Sequence, residues 1–443
     1  MTTSAIDHLF ERPKWGQGLS LHRNTWLHAN LPCADWLARQ SAVKITGSNG
    51  KGSVALFTAA ILEACGFRTG CFTSPHLFNI TERVQINGTP IPEADLSEAL
   101  SVVLPLVDAF EADNPGDVFG TFEILTAAAL IAFERQGCTA LVIEAGVGGR
   151  LDVTRLIPGA LTAITSIDLE HQAILGPTRE HILFDKADLC PPGGTLICGP
   201  LTDDLQERLA SYLTLMDREP VFVSHATDCQ VRAIDEKGTT VDITIEGDPV
   251  TDIRLSALGA HQVTNAAQAM LLAKRWLAQN QKEMTDSAFA DACRAALAKT
   301  IPPLRLERVQ DTPTILADVC HSPDAALKAA TAVQHHFPGR KLVLLTGASD
   351  NKDVKGIVDA LSARAEHIIC SRALMNGRAA QDVADHLTTG NVTVLDDLNE
   401  AIQQATAIAT EHDAVLLIAG GLFLAAEAVT LHRGQKREQL RFL

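Results

Sequence analysis

The sequence predicts two doubly wound α/β domains, spanning residues 1–301 and 302–443. Three observations carry that expectation. Short apolar runs alternate with amphipathic helical stretches, the pattern of a mainly parallel sheet whose strands are joined by helices. The alternation breaks at residues 300–304 (TIPPL), where two prolines read as an interdomain linker, and then starts again. A chain of 443 residues is also too long for one compact core and long enough for two.

In the first domain, residues 42–46 (AVKIT) read as a buried strand feeding a Gly-rich turn and a helix over 54–65, with Gly66 at the C-cap. Further strands are expected at 69–73, 139–144 and 160–167. Residues 224–253 differ, being polar and alternating with turns at 235–238 and 246–249, and read as a β-rich meander. Helices are expected over 262–279 and 286–298. Beyond the break come a strand at 314–318, a helix from Asp324, a strand at 341–346 and a helix from Val354. Strands at 367–371, 392–395 and 414–419 complete a smaller, Rossmann-like sheet.

Composition narrows the class of function. Thirty-seven basic against 53 acidic residues give a formal net charge of −16, which argues against broad nucleic-acid binding and for anions handled at local positive sites. No apolar run is long enough to span a membrane, and the first residues lack a basic region followed by an apolar stretch. Ten cysteines without a CxxC pair read as reduced core thiols. A cytoplasmic protein is expected, without membrane or nucleic-acid partners.

The strongest local signal is Thr46-Gly47-Ser48-Asn49-Gly50-Lys51-Gly52-Ser53, between a strand and a helix. Glycines let backbone N–H groups turn onto phosphate, the helix N-terminus adds a positive dipole, and Lys51 can reach the outer phosphates. This makes the first domain P-loop ATPase-like, with Asn49, Gly50, Lys51, Gly52 and Ser53 as nucleotide contacts. The spacing, GxxGKGS, is shorter than the common GxxxxGK[ST] loop. A Gly-rich turn with a solvated lysine is the plain alternative, and the strand–helix context weighs against it. Ser74, Glu144 and His171 are scattered in sequence, yet each follows a strand that a parallel sheet would end at one edge. Ligands of such sheets bind there, and a hydroxyl, a carboxylate and an imidazole can hold Mg²⁺ beside phosphate oxygens.

The short TGSNGKGS loop resembles that of the Mur ligase superfamily, most closely the folylpolyglutamate synthase/dihydrofolate synthase branch. The likeness continues in order through Thr73-Ser74-Pro75-His76-Leu77, Glu82-Arg83-Val84, Thr121-Phe122-Glu123 and residues 144–152 (EAGVGGRLD). It goes on through Thr165-Ser166-Ile167, Glu170-His171, Lys186-Ala187 and residues 259–266 (GAHQVTNA). In the second domain it covers Arg305-Leu306-Glu307, Asp318 to His321 with Pro323, and Gly347 with Asp350-Asn351-Lys352-Asp353. The resemblance implies an ATP-dependent ligase that phosphorylates a carboxylate and lets an amine displace the phosphate, here a pteroate or folate acid and L-glutamate. It implies two Mg²⁺ ions, with Ser74, Glu144 and His171 as ligands and Lys186 carbamylated toward the second ion. It places Asn265, Arg305 and Asp318 on ATP, with His321 orienting phosphate or substrate. Thr121, Phe122, Glu123, Leu151 and Asp152 fall near the pterin pocket, and a monomer is expected.

Several residues depart from the family pattern: Leu304 before Arg305, Val319-Cys320 and Ser322 in the Asp318 block, Arg155, Glu170, Asp188, and Ala419-Gly420-Gly421. They leave open a relative that makes an amide on a different acid. From other classes, a P-loop kinase or ATPase and a catalytically dead nucleotide-binding module also remain. The second domain's Arg305, Asp318 and Lys352-Asp353 argue against the former, and retained Lys51, Ser74, Glu144 and His171 against the latter.

Overall fold

The computed structural model describes residues 4–349, 352–387 and 391–442. Among these residues three sheets form. The first contains β1 (Val43–Thr46), β2 (Thr69–Phe72), β3 (Val84–Ile86), β4 (Thr89–Pro90), β5 (Ala140–Glu144), β6 (Leu161–Ile164), β7 (Thr195–Cys198) and β8 (Glu219–Phe222). Their order is β4-β3-β2-β5-β1-β6-β7-β8. From β2 to β8 every pairing is parallel, and β3 and β4 add an antiparallel edge. The central strands are buried along their whole length, because helices cover both faces. That is why they read as continuous apolar runs.

The meander is β9 (Thr227–Asp235), β10 (Gly238–Ile245) and β11 (Asp248–Leu255), an antiparallel three-stranded sheet. Val241, Ile243 and Ile245 of β10 point into the core with Met270 and Leu277 of the Ala260–Gln279 helix, while β9 lies exposed, which gives the polar alternation. The third sheet holds β12 (Glu307–Gln310), β13 (Ile315–Asp318), β14 (Leu342–Thr346), β15 (His367–Cys370), β16 (Asn391–Val394) and β17 (Val415–Ala419), ordered β12-β13-β17-β14-β15-β16. All its pairs are parallel except β12 with β13.

Two expected boundaries move for a physical reason. The helix expected from Val54 starts at Lys51, because Gly50 sits at the N-cap in the left-handed region (φ 89°) and turns the chain into the first helical turn. The strand expected over 160–167 ends at Ile164, where Thr165 and Ser166 leave the ladder to hold the phosphate loop. Asp350 and Asn351 of the second-domain block lie outside the described residues. Among those described, no helix is long and apolar enough to cross a membrane.

Candidate active site

The parallel order β2-β5-β1-β6 brings the carboxyl ends of four strands to one edge, where Glu144 ends β5 and the segments leaving β2, β1 and β6 carry Ser74, Lys51 and His171. The phosphate loop is clamped from the β6 side. Thr165 Oγ1 and Ser166 Oγ donate to the Asn49 carbonyl at 2.6 and 3.0 Å, and Asn49 N–H donates back to Ser166 Oγ at 2.9 Å. A side chain on Gly47 would put its Cβ 2.0 Å from Thr165 Oγ1, and one on Gly50 would lie 2.9 Å from Asn265 Oδ1. Glycine is therefore required at Gly47 by the segment that follows β6, and Asn265 is placed against the loop at Gly50.

Lys51 Nζ donates to the carbonyls of Gly47 (2.8 Å) and Ser48 (3.2 Å). Lys186, on the Arg179–Ala187 helix, is 2% exposed, pairs with Glu170 at 2.8 Å and donates to the same Gly47 carbonyl at 3.2 Å. Two ammonium groups thus converge on one carbonyl. Burial, then the Lys51 charge, lowers the Lys186 pKa against the pull of Glu170. Burial would raise Glu170, but Lys51 and Lys186 outweigh it and hold that carboxyl down at about 2. Glu144 closes the opposite side. It is 2% exposed, and its Oε2 accepts the Ser74 N–H at 2.9 Å. Burial raises its pKa, opposed first by Lys51 and then by the Ser74 bond, Arg305 and Arg83. His171, in the left-handed region (φ 45°), lies in the field of Glu170, Lys51 and Lys186.

The second domain delivers Arg305 to this edge, where its charge acts on Glu144 as well as on Asp318. Both neighbours of Arg305 adopt left-handed backbone, Leu304 at φ 49° and Leu306 at φ 50°. Such conformations in non-glycine residues cost about 1 kcal/mol or more each. Carboxylates hold the turn: Glu307 accepts Leu304 N–H and Asp318 accepts Leu306 N–H, both at 2.9 Å, while Asp318 also accepts Cys320 N–H at 2.7 Å. A glycine at position 304 would meet no such cost in this turn. His321 follows in the field of Lys352, Arg305 and Lys51.

The residues expected near the acid pocket divide. The Phe122 ring packs against Gly146, where a Cβ would stand 2.9 Å from it, and against Phe72 at 5.5 Å, while Leu151 is 42% exposed. Thr121 starts the Thr121–Arg135 helix, its N–H bonded to Pro13 O at 3.1 Å. Glu123 and Asp152 are tied into protein hydrogen bonds instead. Glu123 accepts from Arg23, Asn24 and the Gly120 N–H. Asp152 accepts Gly146, Val147 and Thr154 N–H groups and the Thr154 hydroxyl.

Sequence reasoning gave no role to Arg83, Thr165 or Ser166, although all three stand in blocks it quoted. The departures acquire local roles. Asp188 ties Arg150, Tyr212 and Arg218 at 2.7–2.9 Å, and Ser322 caps the Pro323–His336 helix.

Residues 45–273 match the Mur ligase middle domain and residues 304–421 the Mur ligase glutamate ligase domain. The chain belongs to the Mur ligase superfamily. Its relatives place it in the folylpolyglutamate synthase/dihydrofolate synthase branch. A dihydrofolate synthase/folylpolyglutamate synthase of Mycobacterium tuberculosis is 30% identical over 86% of this chain and 81% of the relative. A probable bifunctional folylpolyglutamate synthase/dihydropteroate synthase of Haloferax volcanii is 33% identical over 88% of this chain, which spans 46%, about half, of that relative's length. A solved Mycobacterium tuberculosis folylpolyglutamate synthase complexed with ADP superposes with a TM-score of 0.85 at 28% identity, covering 96% of this chain and 97% of that one.

Proposed function

We propose that this chain is an ATP-dependent ligase that activates a pteroate- or folate-type carboxylate as its acyl phosphate and joins it to L-glutamate. The observation that carries the reading is the meeting of Lys51, Lys186 and Glu144 at the phosphate loop with Arg305 from the second domain. A kinase or ATPase that only releases phosphate needs no such second domain.

In this reading the 47–53 backbone and the helix N-terminus take the nucleotide phosphates, with Asn265 against the loop and Lys51 moving from its two carbonyls onto the outer phosphates. Arg305 neutralises charge on the transferring phosphoryl group, in a turn that Asp318 and Glu307 hold. His321 orients phosphate or the incoming amine. Phe122 and Leu151 line the ring end of the acid beside Thr121, while Glu123 and Asp152 support that wall rather than touch substrate. Ser74, Glu144 and His171 fit Mg²⁺ by their donor chemistry: the buried Glu144 carboxylate stands against Ser74, and a hydroxyl, a carboxylate and an imidazole are few enough ligands to leave room for water and phosphate oxygens. When bound, the ion neutralises phosphate charge. Lys186, buried beside Glu170 and the Gly47 carbonyl, would as a carbamate supply oxygen ligands for a second ion. The packed domains keep water from the acyl phosphate.

The test is product mass after incubation with Mg-ATP, L-glutamate and 7,8-dihydropteroate. ATP-dependent appearance of the glutamyl conjugate is the expected result. ADP release without any conjugate would overturn the ligase reading for this acid and turn attention to other carboxylic acids.

A further inference from the structure

The loop after β2 is held from the far side of the molecule. Within it, Glu82 accepts the N–H groups of Leu77, Phe78 and Asn79 at 2.7–3.0 Å. Its next three contacts reach the C-terminal part of the chain. Leu77 is buried in the second domain's core with Leu304, Val319 and Leu424. Phe78 has the Arg433 guanidinium 5.1 Å from its ring centre. His76, 2% exposed, accepts Arg83 Nε–H at Nδ1 (2.9 Å), so its Nε2–H donates to the Arg441 carbonyl at 2.5 Å.

The segment bearing Arg441 is anchored on three sides. The Arg441 guanidinium lies 3.8 Å from the Phe10 ring centre and bonds Asp7 at 2.5 Å. The Phe442 ring is parallel to His76 (centroids 6.3 Å, 1°) and edge-on to Phe423 of the second domain (4.9 Å, 85°). From there the path to the site is short. Arg83 is 5% exposed, its charge acts on Glu144, and its carbonyl accepts Thr73 N–H at 3.0 Å, next to Ser74.

We propose that Arg441 and Phe442 are positioning residues for the reaction: by fixing His76 they fix Arg83 and the Ser74 loop against Glu144. The inference rests on the ligase reading for its activity readout, and on geometry alone for its structural one. The phosphate loop is not part of this path, so nucleotide affinity measured without Mg²⁺ stays apart from it.

Hydrogen exchange of residues 74–79 in the whole protein tests the geometry without reference to activity. Phe442→Ala should speed exchange there at least fivefold while the 47–53 amides are unchanged; equal protection in wild type and variant overturns the proposal. In turnover assays Phe442→Ala should lower kcat about five- to tenfold, with the nucleotide Kd measured without Mg²⁺ within twofold. A double-mutant cycle separates positioning from general destabilisation. His76→Ala with Phe442→Ala should lose no more kcat than His76→Ala alone, and His76→Gln, which keeps a donor for the Arg441 carbonyl, should recover part of the loss. Multiplying losses in the double variant would overturn the proposal. Wild-type protein that makes no conjugate but still shows the exchange effect would fail the ligase reading and leave the positioning intact.

Discussion

Glu144 ends β5, and Asp152 closes the loop that follows. Both are 2% exposed, and burial raises both pKa values. They differ in who compensates them. Asp152 collects its hydrogen bonds from Gly146, Val147 and Thr154, residues of its own loop. Glu144 has one backbone N–H, from the loop of another strand, and otherwise the charges of Lys51, Arg305 and Arg83 from three other segments. A buried acid satisfied by its neighbours in sequence organises a loop. One that depends on cations arriving from elsewhere is poised to exchange them for a ligand. Burial and a perturbed pKa alone would have ranked the two equally.

Glu123 also takes its partners from elsewhere in the chain, Arg23 and Asn24, but they hold it by direct hydrogen bonds, and breaking it should give the largest effect. Glu123→Ala leaves Arg23, 1% exposed, without its main carboxylate partner, and unfolding should become easier by about 3–5 kcal/mol in a denaturant titration. Lys51→Ala should lower conjugate formation about 10²- to 10³-fold with circular dichroism and Tm close to wild type; unchanged turnover would remove Lys51 from the chemistry. The comparison itself is sharpened by a matched pair. Asp152→Ala should cost about 2–3 kcal/mol by stranding buried N–H groups, whereas Glu144→Gln, which keeps an acceptor for Ser74, should hold stability within about 1 kcal/mol and lose most activity. Equal stability losses would break the distinction.

The smallest effect concerns a cation on neither side of the comparison. Lys44 lies mid-strand at 1% exposure, and burial brings its ammonium down from 10.5 to about 8. Between those values the unfolded chain holds a proton that the folded one has released, so stability should rise with pH across that window. Lys44→Met should flatten the rise; an unchanged pH profile would show that Lys44 stays charged when folded.

Much of the site could be read from spacing. The strand–glycine–helix order around Lys51 has a local cause, and the parallel-sheet rule was enough to place Ser74, Glu144 and His171 at one edge. The pairing of Lys186 with Glu170 could not be read, because helix and loop meet only through the fold. Nor could the left-handed turn around Arg305, since leucines at positions 304 and 306 give no sign of positive φ. The structural roles of Glu123 and Asp152 were hidden for another reason: their motif wording is what a substrate contact would also carry.

By itself, then, the sequence determined the alternation of strands and helices, the phosphate loop and the family, because each is set by residues near one another in the chain. Only the tertiary structure decided which buried charges face one another and that Arg441 reaches His76. Those contacts join segments hundreds of residues apart, and their energies depend on shared burial and distance, which periodicity does not encode.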